Sequence, residues 1–336
     1  MNVCVVGAGA IGGLVGVKMA LAGADVTLIA KGPHLEAIRK NGLRLIGPDG
    51  AEQVVRFPKA TADMTEVGRF DLVVLGLKSQ QIAPVASSLA GLIGPETVVL
   101  PLQNGLPWWY FHKHGGPHGG RRLESCDPSG ELGRAIDLER VVGCVTYPGS
   151  EVTAPGVIRH VEGDRFPMGE LDGAETGRIR AVSQAFVQAG LKAPILADIR
   201  SEIWLKLWGN LSFNPISALT HATLSDICQY PLTRDLVTHM MVEAQQIAHK
   251  LGIVFRVPLE KRIAGAERVG KHKTSTLQDV ERGRAMELDA LMGTVIELGR
   301  ITQTATPYLD TVYALTKLLG KTLTEENGRL QIQRVA

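Results

Sequence analysis

A chain of 336 residues is longer than one hydrophobic core usually serves, so two domains are expected; 45% hydrophobic against 21% charged residues excludes general disorder. Lys plus Arg number 36 and Asp plus Glu 34, a formal charge of +2, which leaves no global basic field to draw in nucleic acid. The four cysteines, Cys4, Cys126, Cys144 and Cys228, have no CxxC spacing and are too few for a disulfide framework or a thiolate zinc site, so a reducing cytoplasm is expected.

The chain opens on an apolar run at residues 3–6 with no basic segment before it. No uninterrupted apolar run reaches the roughly 18 residues of a membrane span, so neither secretion nor membrane insertion is expected. A glycine cluster follows, and residues 11–21 read as a helix ending near Gly23. A β-branched run at 26–29 comes next, then a helical stretch from Pro33 to Lys40 stopped by Asn41-Gly42. Residues 72–75 and 97–100 are fully apolar short runs, the kind buried on both faces of a parallel sheet, with a helix expected between them from about Gln80 to Leu92.

The stretch from Trp108 to Asp137, rich in Gly, His, Pro and Arg, reads as an irregular surface insertion. Runs near 141–147, 157–161 and 166–169 are expected to complete the first domain with antiparallel strands. After Pro194 the periodicity is helical through about Leu319, with Pro215, Pro231, Pro258 and Pro307 as helix boundaries. The fold class is therefore α/β: an N-terminal doubly wound sheet over 1–197, a mainly α-helical domain over 198–320 and a tail over 321–336.

Gly7-Ala8-Gly9-Ala10-Ile11-Gly12 matches G-x-G-x-x-G directly after the first apolar run and at the start of a helix, where a dinucleotide site needs it. Gly7 permits the tight turn, Gly9 lets backbone approach a pyrophosphate without a Cβ, Gly12 permits close packing of helix on strand, and the helix N-terminus offers free N–H groups. An NAD-selective site would place Asp or Glu at the end of the second strand to bond the ribose 2′-hydroxyl. Here the strand ends Leu28-Ile29-Ala30-Lys31, and Lys31 can pair with a 2′-phosphate, so NADPH is expected over NADH.

Further segments sharpen this: Gly76-Leu77-Lys78 and Leu102-Gln103-Asn104-Gly105, each after an apolar run, then 204–215 reading WLKLWGNLSFNP, Ser275-Thr276-Leu277-Gln278-Asp279 and Glu287-Leu288-Asp289. In this order and over residues 1 to about 320, the chain resembles the ketopantoate reductase (2-dehydropantoate 2-reductase) family. The resemblance implies a Rossmann-type N-terminal domain, a helical C-terminal domain and NADPH-dependent reduction of ketopantoate to pantoate, on the way to pantothenate and coenzyme A. Carried over by position, it implies Lys206 as general acid with Glu287 as its polar neighbour. It further implies Asn104, Asn210, Asn214 and Ser275 as substrate contacts, and Gly7, Ala8, Gly9, Ala10, Ile11, Gly12, Lys31, Lys78 and Asn104 as the cofactor site.

The residues themselves agree. Lys206, Asn210 and Asn214 are spaced i, i+4, i+8, so on a helix they line one face over about 12 Å of axis. Reducing a 2-oxo acid loads negative charge onto the carbonyl oxygen, so the site needs a nearby cation able to surrender a proton. The chain departs from the family where members often carry further asparagines, having Leu224 and His272, and its 107–139 connection is longer than usual.

Those departures keep open a paralogous reductase acting on a different, bulkier 2-oxo acid. A third reading is a non-catalytic NADP(H) sensor. His112, His114 and His118 form an H-x-H-x3-H pattern but lack an acidic or cysteine partner, so no metal is expected. The partner expected from the resemblance is a small-molecule 2-oxo acid, with no nucleic acid and no membrane. Apolar residues such as Ile296, Leu298 and Ile301 could pack within the monomer or across a homodimer interface.

Overall fold

The computed structural model describes residues 1–333; residues 334–336, the end of the expected tail, lie outside the described residues. The chain forms two compact units. The first comprises Met1–Gln103, Trp108–Arg122 and Asp127–Ile199, and the second comprises Asn104–Pro107, Leu123–Cys126 and the chain from Arg200 onward. The division is thus more than a single cut near residue 198. Two short pieces join the helical unit because their backbone is bonded there: Leu106 N–H donates to the Ala290 carbonyl at 3.0 Å, and Glu124 N–H and Ser125 N–H donate to the Glu297 carboxylate at 2.9 and 2.8 Å.

The first unit is built on five parallel strands: β1 (Asn2–Val6), β2 (Asp25–Ile29), β5 (Lys59–Thr61), β6 (Leu72–Leu75) and β7 (Val98–Pro101), in the order β5-β2-β1-β6-β7. β1 pairs with β2 (Val3 beside Val26) and with β6 (Val3 beside Leu72). Val3, Val5, Leu72 and Val74 are fully buried, as strands covered on both faces require. Two helices flank this opening, α1 (Ala10–Leu21) and α2 (Gly32–Asn41). Strand order reverses between β1 and β6, and ligands of such sheets bind where it reverses, outside the carboxyl ends.

A second sheet runs β4-β3-β10-β9, from β3 (Leu43–Ile46), β4 (Glu52–Val55), β9 (Gly149–Ala154) and β10 (Val157–Glu162). Its β3–β10 pair is parallel and its outer pairs antiparallel. Antiparallel strands were expected near 157–161 to complete this domain; β10 is antiparallel to β9 but also crosses back to pair in parallel with β3, a segment with no strong strand pattern. A two-stranded pair, β8 (Gly143–Cys144) with β11 (Met168–Gly169), and α5 (Gly177–Gln188) complete the unit.

Two expectations are corrected here. The stretch from Ser79 to Leu92 is a series of short turns around α3 (Ala86–Leu89) instead of one helix, because Pro84 lacks the N–H that would carry the helical ladder through it. The insertion starting at Trp108 is irregular but anchored: Trp108, Trp109, Tyr110, Phe111, Leu123, Leu132 and Ile136 are buried, and it carries the short α4 (Glu131–Ala135). Its aromatic side chains make it part of the core.

The second unit consists of α6 (Ile199–Thr220), α7 (Leu224–Gln229), α8 (Pro231–Lys250), α9 (Leu259–Val269), α10 (Ser275–Glu281), a π-turn over Asp289–Gly293, α11 (Thr294–Ile301) and α12 (Pro307–Glu325). Pro231 and Pro307 stand at first helical positions and Pro258 caps α9, as expected for proline. Pro215 does not bound a helix: α6 passes through it, leaving the Leu211 carbonyl without its usual N–H donor. The last helix reaches Glu325, past the boundary expected at 320. Ile296 and Leu298 are buried within the chain. Among the described residues, no helix is long and apolar enough to cross a membrane.

Candidate active site

In the first unit, the turn from β1 to α1 is interlocked with the turn after β6. Gly7 has φ +93°, a conformation that disfavours any side chain, and a Cβ on Gly12 would stand 2.1 Å from the Gly7 carbonyl. The Gly7 and Ala8 N–H groups both donate to the Ile29 carbonyl, at 3.0 and 3.1 Å, which fixes the turn against the end of β2. Gly9 differs, for a Cβ there would meet nothing within 4 Å. Open space therefore lies beside Gly9, which is the N-cap of α1, where the first N–H groups of a helix lack intrahelical partners.

A cavity of about 210 Å³ runs along this turn, lined by Gly7, Ala8, Gly9, Lys31, His34 and Gln81 among others. Lys31 is exposed at the N-cap of α2, and no acidic side chain stands at the end of β2. These groups fit a dinucleotide: an open glycine beside a positive helix end for the pyrophosphate, and an ammonium where a 2′-phosphate would sit. Lys78 does not line this cavity, although its neighbours Leu77 and Gln81 do; its N–H donates to Gln81 Oε1 at 3.0 Å.

His34 is a residue of this site that the sequence did not single out. Gly156 N–H donates to His34 Nδ1 at 3.0 Å, so the proton sits on Nε2, which donates to the Ala8 carbonyl at 2.8 Å. One imidazole thus ties the glycine turn to the β9–β10 hairpin. No local spacing could have revealed it, since its two partners stand 26 and 122 residues away.

In the second unit, α6 carries Lys206, Asn210 and Asn214 on one face, as their spacing predicted. Trp204 and Trp208 are fully buried on the other side, where Trp208 stacks on Phe255 at 4.1 Å and donates its Nε1–H to the Met241 carbonyl at 2.7 Å. Lys206 is two positions from each tryptophan, about 200° around the helix, and so points away from them. Its amine is half-buried and donates to Asn104 Oδ1 at 2.7 Å. Asn214 is buried, with Nδ2 donating to Ser275 Oγ at 3.5 Å, and Ser275 itself is exposed at the first position of α10. Asn210 is half-buried, and so is Glu287, directly before the helical turn that becomes the π-turn.

Two charged residues of this region were missed. Glu202 extends the i, i+4 row one turn before Lys206; its side chain is buried and pairs with Arg256 Nη2 at 2.7 Å. The helical spacing could have revealed it. Arg262 of α9 lies against Gly209, where a Cβ would stand 2.1 Å from its Nη2, so a guanidinium rests on α6 beside Asn210. Leu224 and His272, the two departures noted in the sequence, are bonded neighbours: Leu224 N–H donates to the His272 carbonyl at 3.1 Å.

The three histidines of the insertion do not converge on a shared point through common ligands. His112 bonds Glu139 at 2.9 Å, beside a Lys113–Glu139 ion pair of 2.8 Å that holds the Glu139 carboxyl below its usual range. His114 and His118 pack against Phe111. Among the described residues no group of three His, Cys, Asp or Glu side chains is arranged to hold a metal.

Comparison with known proteins bears on both units. Residues 3–108 match the family described as ketopantoate reductase PanE/ApbA, and residues 198–320 match its C-terminal domain. A 2-dehydropantoate 2-reductase of Mesorhizobium japonicum is 51% identical over 321 residues, covering 95% of this chain and 98% of that protein. One of Halobacterium salinarum is 29% identical, covering 95% and 98%. A crystal structure from Ralstonia solanacearum MolK2 has a TM-score of 0.92 at 38% identity, covering 96% of this chain and 98% of that one.

Proposed function

The chain belongs to the ketopantoate reductase family, and from that membership we propose that it reduces ketopantoate (2-dehydropantoate) to pantoate with NADPH, Lys206 acting as general acid. The observation that carries the chemical part is the Lys206 amine, half-buried on α6 and hydrogen-bonded to Asn104 at 2.7 Å. When bound, the reduced nicotinamide supplies the hydride. The protein's part is to meet the charge that develops on the carbonyl oxygen and to deliver the proton that neutralises it.

Lys206 does both, as a cation beside the oxygen and as a donor of N–H. Asn104 accepts one of its three protons and so fixes the direction of the others. Asn210, Asn214 and Ser275 offer amide and hydroxyl donors along the same surface, which orients a carboxylate without adding charge. Glu287 is the acidic member of the set. In the first unit, Gly9 and the α1 N-terminus receive the pyrophosphate and Lys31 the 2′-phosphate. The four cysteines form no disulfide among the described residues and three of them are buried, which supports a reducing cytoplasmic setting.

A second reading has one specific observation in its favour. Leu224 and His272 stand together where family members often carry asparagines, which replaces two amides with an apolar side chain and an imidazole and suits a 2-oxo acid with a more apolar substituent. Following NADPH oxidation against a panel of 2-oxo acids separates the two. Ketopantoate should give the highest kcat/KM. A different 2-oxo acid preferred by more than about tenfold, a difference of about 1.4 kcal/mol in transition-state stabilisation, would favour the second reading. Cofactor binding with no turnover of any 2-oxo acid would overturn both.

A further inference from the structure

The π-turn Asp289–Gly293 contains one irregularity with a use. In an α-helix the Thr294 N–H would bond the Ala290 carbonyl; here it bonds the Asp289 carbonyl, one residue further back. The Ala290 carbonyl is thereby turned outward. It accepts the Leu106 N–H at 3.0 Å and the Thr294 hydroxyl at 2.9 Å. Gly105 fits directly over it: with φ +88°, a Cβ on Gly105 would stand 2.2 Å from the Ala290 oxygen. The residue before this glycine is Asn104, which holds the Lys206 amine. All of these groups lie within the second unit.

The π-turn is held in turn by α12. Asp289 accepts a hydrogen bond from the Tyr313 hydroxyl and two bonds of 3.0 Å from Lys317 Nζ. The Tyr313 hydroxyl also rests against Gly293, where a Cβ would lie 3.2 Å from it, so it touches the turn at both ends. Burial and the neighbouring carboxylate both push the Tyr313 phenol above its ordinary range, so it stays a donor at any pH at which the protein works.

Building on the proposed reduction, we infer that Asp289 and Tyr313 are positioning residues for the general acid, acting through the Ala290 carbonyl on the Asn104 loop. Neither side chain needs to touch substrate. The turn, clamped by α12, sets where the Asn104 side-chain Oδ1 stands and hence where the Lys206 amine points. Because this path runs through the Ala290 carbonyl to the Leu106 N–H, loosening the clamp lets this side of the loop move without removing any group that binds substrate.

The test uses Tyr313→Phe, which keeps the ring and its packing, and Asp289→Asn as a second variant. Two readouts are required. The first is hydrogen exchange at the Leu106 amide, which needs no turnover and so is independent of the assigned reaction; both variants should speed it at least about tenfold, the factor given by 1.4 kcal/mol of lost protection. The second is kinetics with ketopantoate. Here kcat should fall about tenfold or more, within the hundredfold that a misplacement of 1 Å costs, while the affinity for NADPH is unchanged.

In an Asn104→Ala background, Tyr313→Phe should cost nothing further in kcat, because the path has already been cut. Unchanged Leu106 exchange, or an equal loss of kcat with and without Asn104, would overturn the inference. A wild-type protein that reduces no 2-oxo acid would instead count against the proposed function, and the exchange result would still decide the clamp.

Discussion

Lys31 and His34 border the same cavity, and under the proposed function they would meet different parts of a dinucleotide, which substitution separates. Lys31 offers a charge to a 2′-phosphate that only NADPH possesses. Lys31→Ala should therefore raise the Kd for NADPH by about 10- to 100-fold, the loss of a charge-assisted bond worth about 1.5–3 kcal/mol, and leave that for NADH unchanged. His34 holds the Ala8 carbonyl, and so the turn that would face the pyrophosphate common to both cofactors. His34→Phe should weaken NADPH and NADH alike, by about tenfold, while kcat at saturating cofactor stays near wild type. Fluorescence titration with each cofactor checks both variants. A loss confined to NADPH in His34→Phe would show that this imidazole contacts the phosphate directly. At this scale, the sequence revealed residues whose chemistry depends on near neighbours, such as the glycines of 7–12 and the row Lys206, Asn210, Asn214. It concealed His34, Arg262 and Tyr313, whose partners are remote in the chain and whose types are unremarkable in a helix.

Among the elements, α12 shows how a helix end can be completed from elsewhere. Thr306, at its N-cap, makes no capping bond, and the Tyr308 and Leu309 N–H groups instead donate to the Glu243 carboxylate of α8, each at 2.9 Å. Burial outweighs these two bonds and raises the Glu243 carboxyl above its ordinary range. The folded state therefore holds this proton more tightly than the unfolded chain, where the value is about 4.3. Its contribution to stability is full below that value and is lost as pH rises through the raised folded value. Glu243→Gln has no such titration, so denaturant melts across this range should show the variant gaining on wild type as pH rises; parallel curves would contradict this. Element order was legible where a short apolar run met a strong stop signal, as in β1, β2, β6 and β7. It failed where long-range pairing overrode weak local pattern: β3, β4 and β9 form a sheet with β10, and α6 continues through Pro215 because tertiary packing of Trp204, Trp208 and Leu211 holds it.

For the whole molecule, each of the two units carries one feature of the proposed reaction: the first a glycine turn suited to a dinucleotide, the second a helix presenting an amine and amides. The family was readable because its motifs fall in order along the chain, each at the end of a strand or on a helix face. The shape of the insertion was not, since a Gly- and His-rich stretch reads as surface while its Trp108, Trp109, Tyr110 and Phe111 bury a core. The two-piece entry of 104–107 and 123–126 into the helical unit was hidden as well, for it rests on backbone bonds to Ala290 and Glu297. The proposed function turns on Lys206 as proton donor. The most direct measurement is the steady-state reduction of ketopantoate by Lys206→Ala, with NADPH affinity measured alongside. The account predicts a fall in kcat of about 10²- to 10⁴-fold, the usual contribution of a general acid, with the NADPH Kd unchanged. A variant that binds NADPH normally and keeps kcat within about threefold of wild type would contradict it.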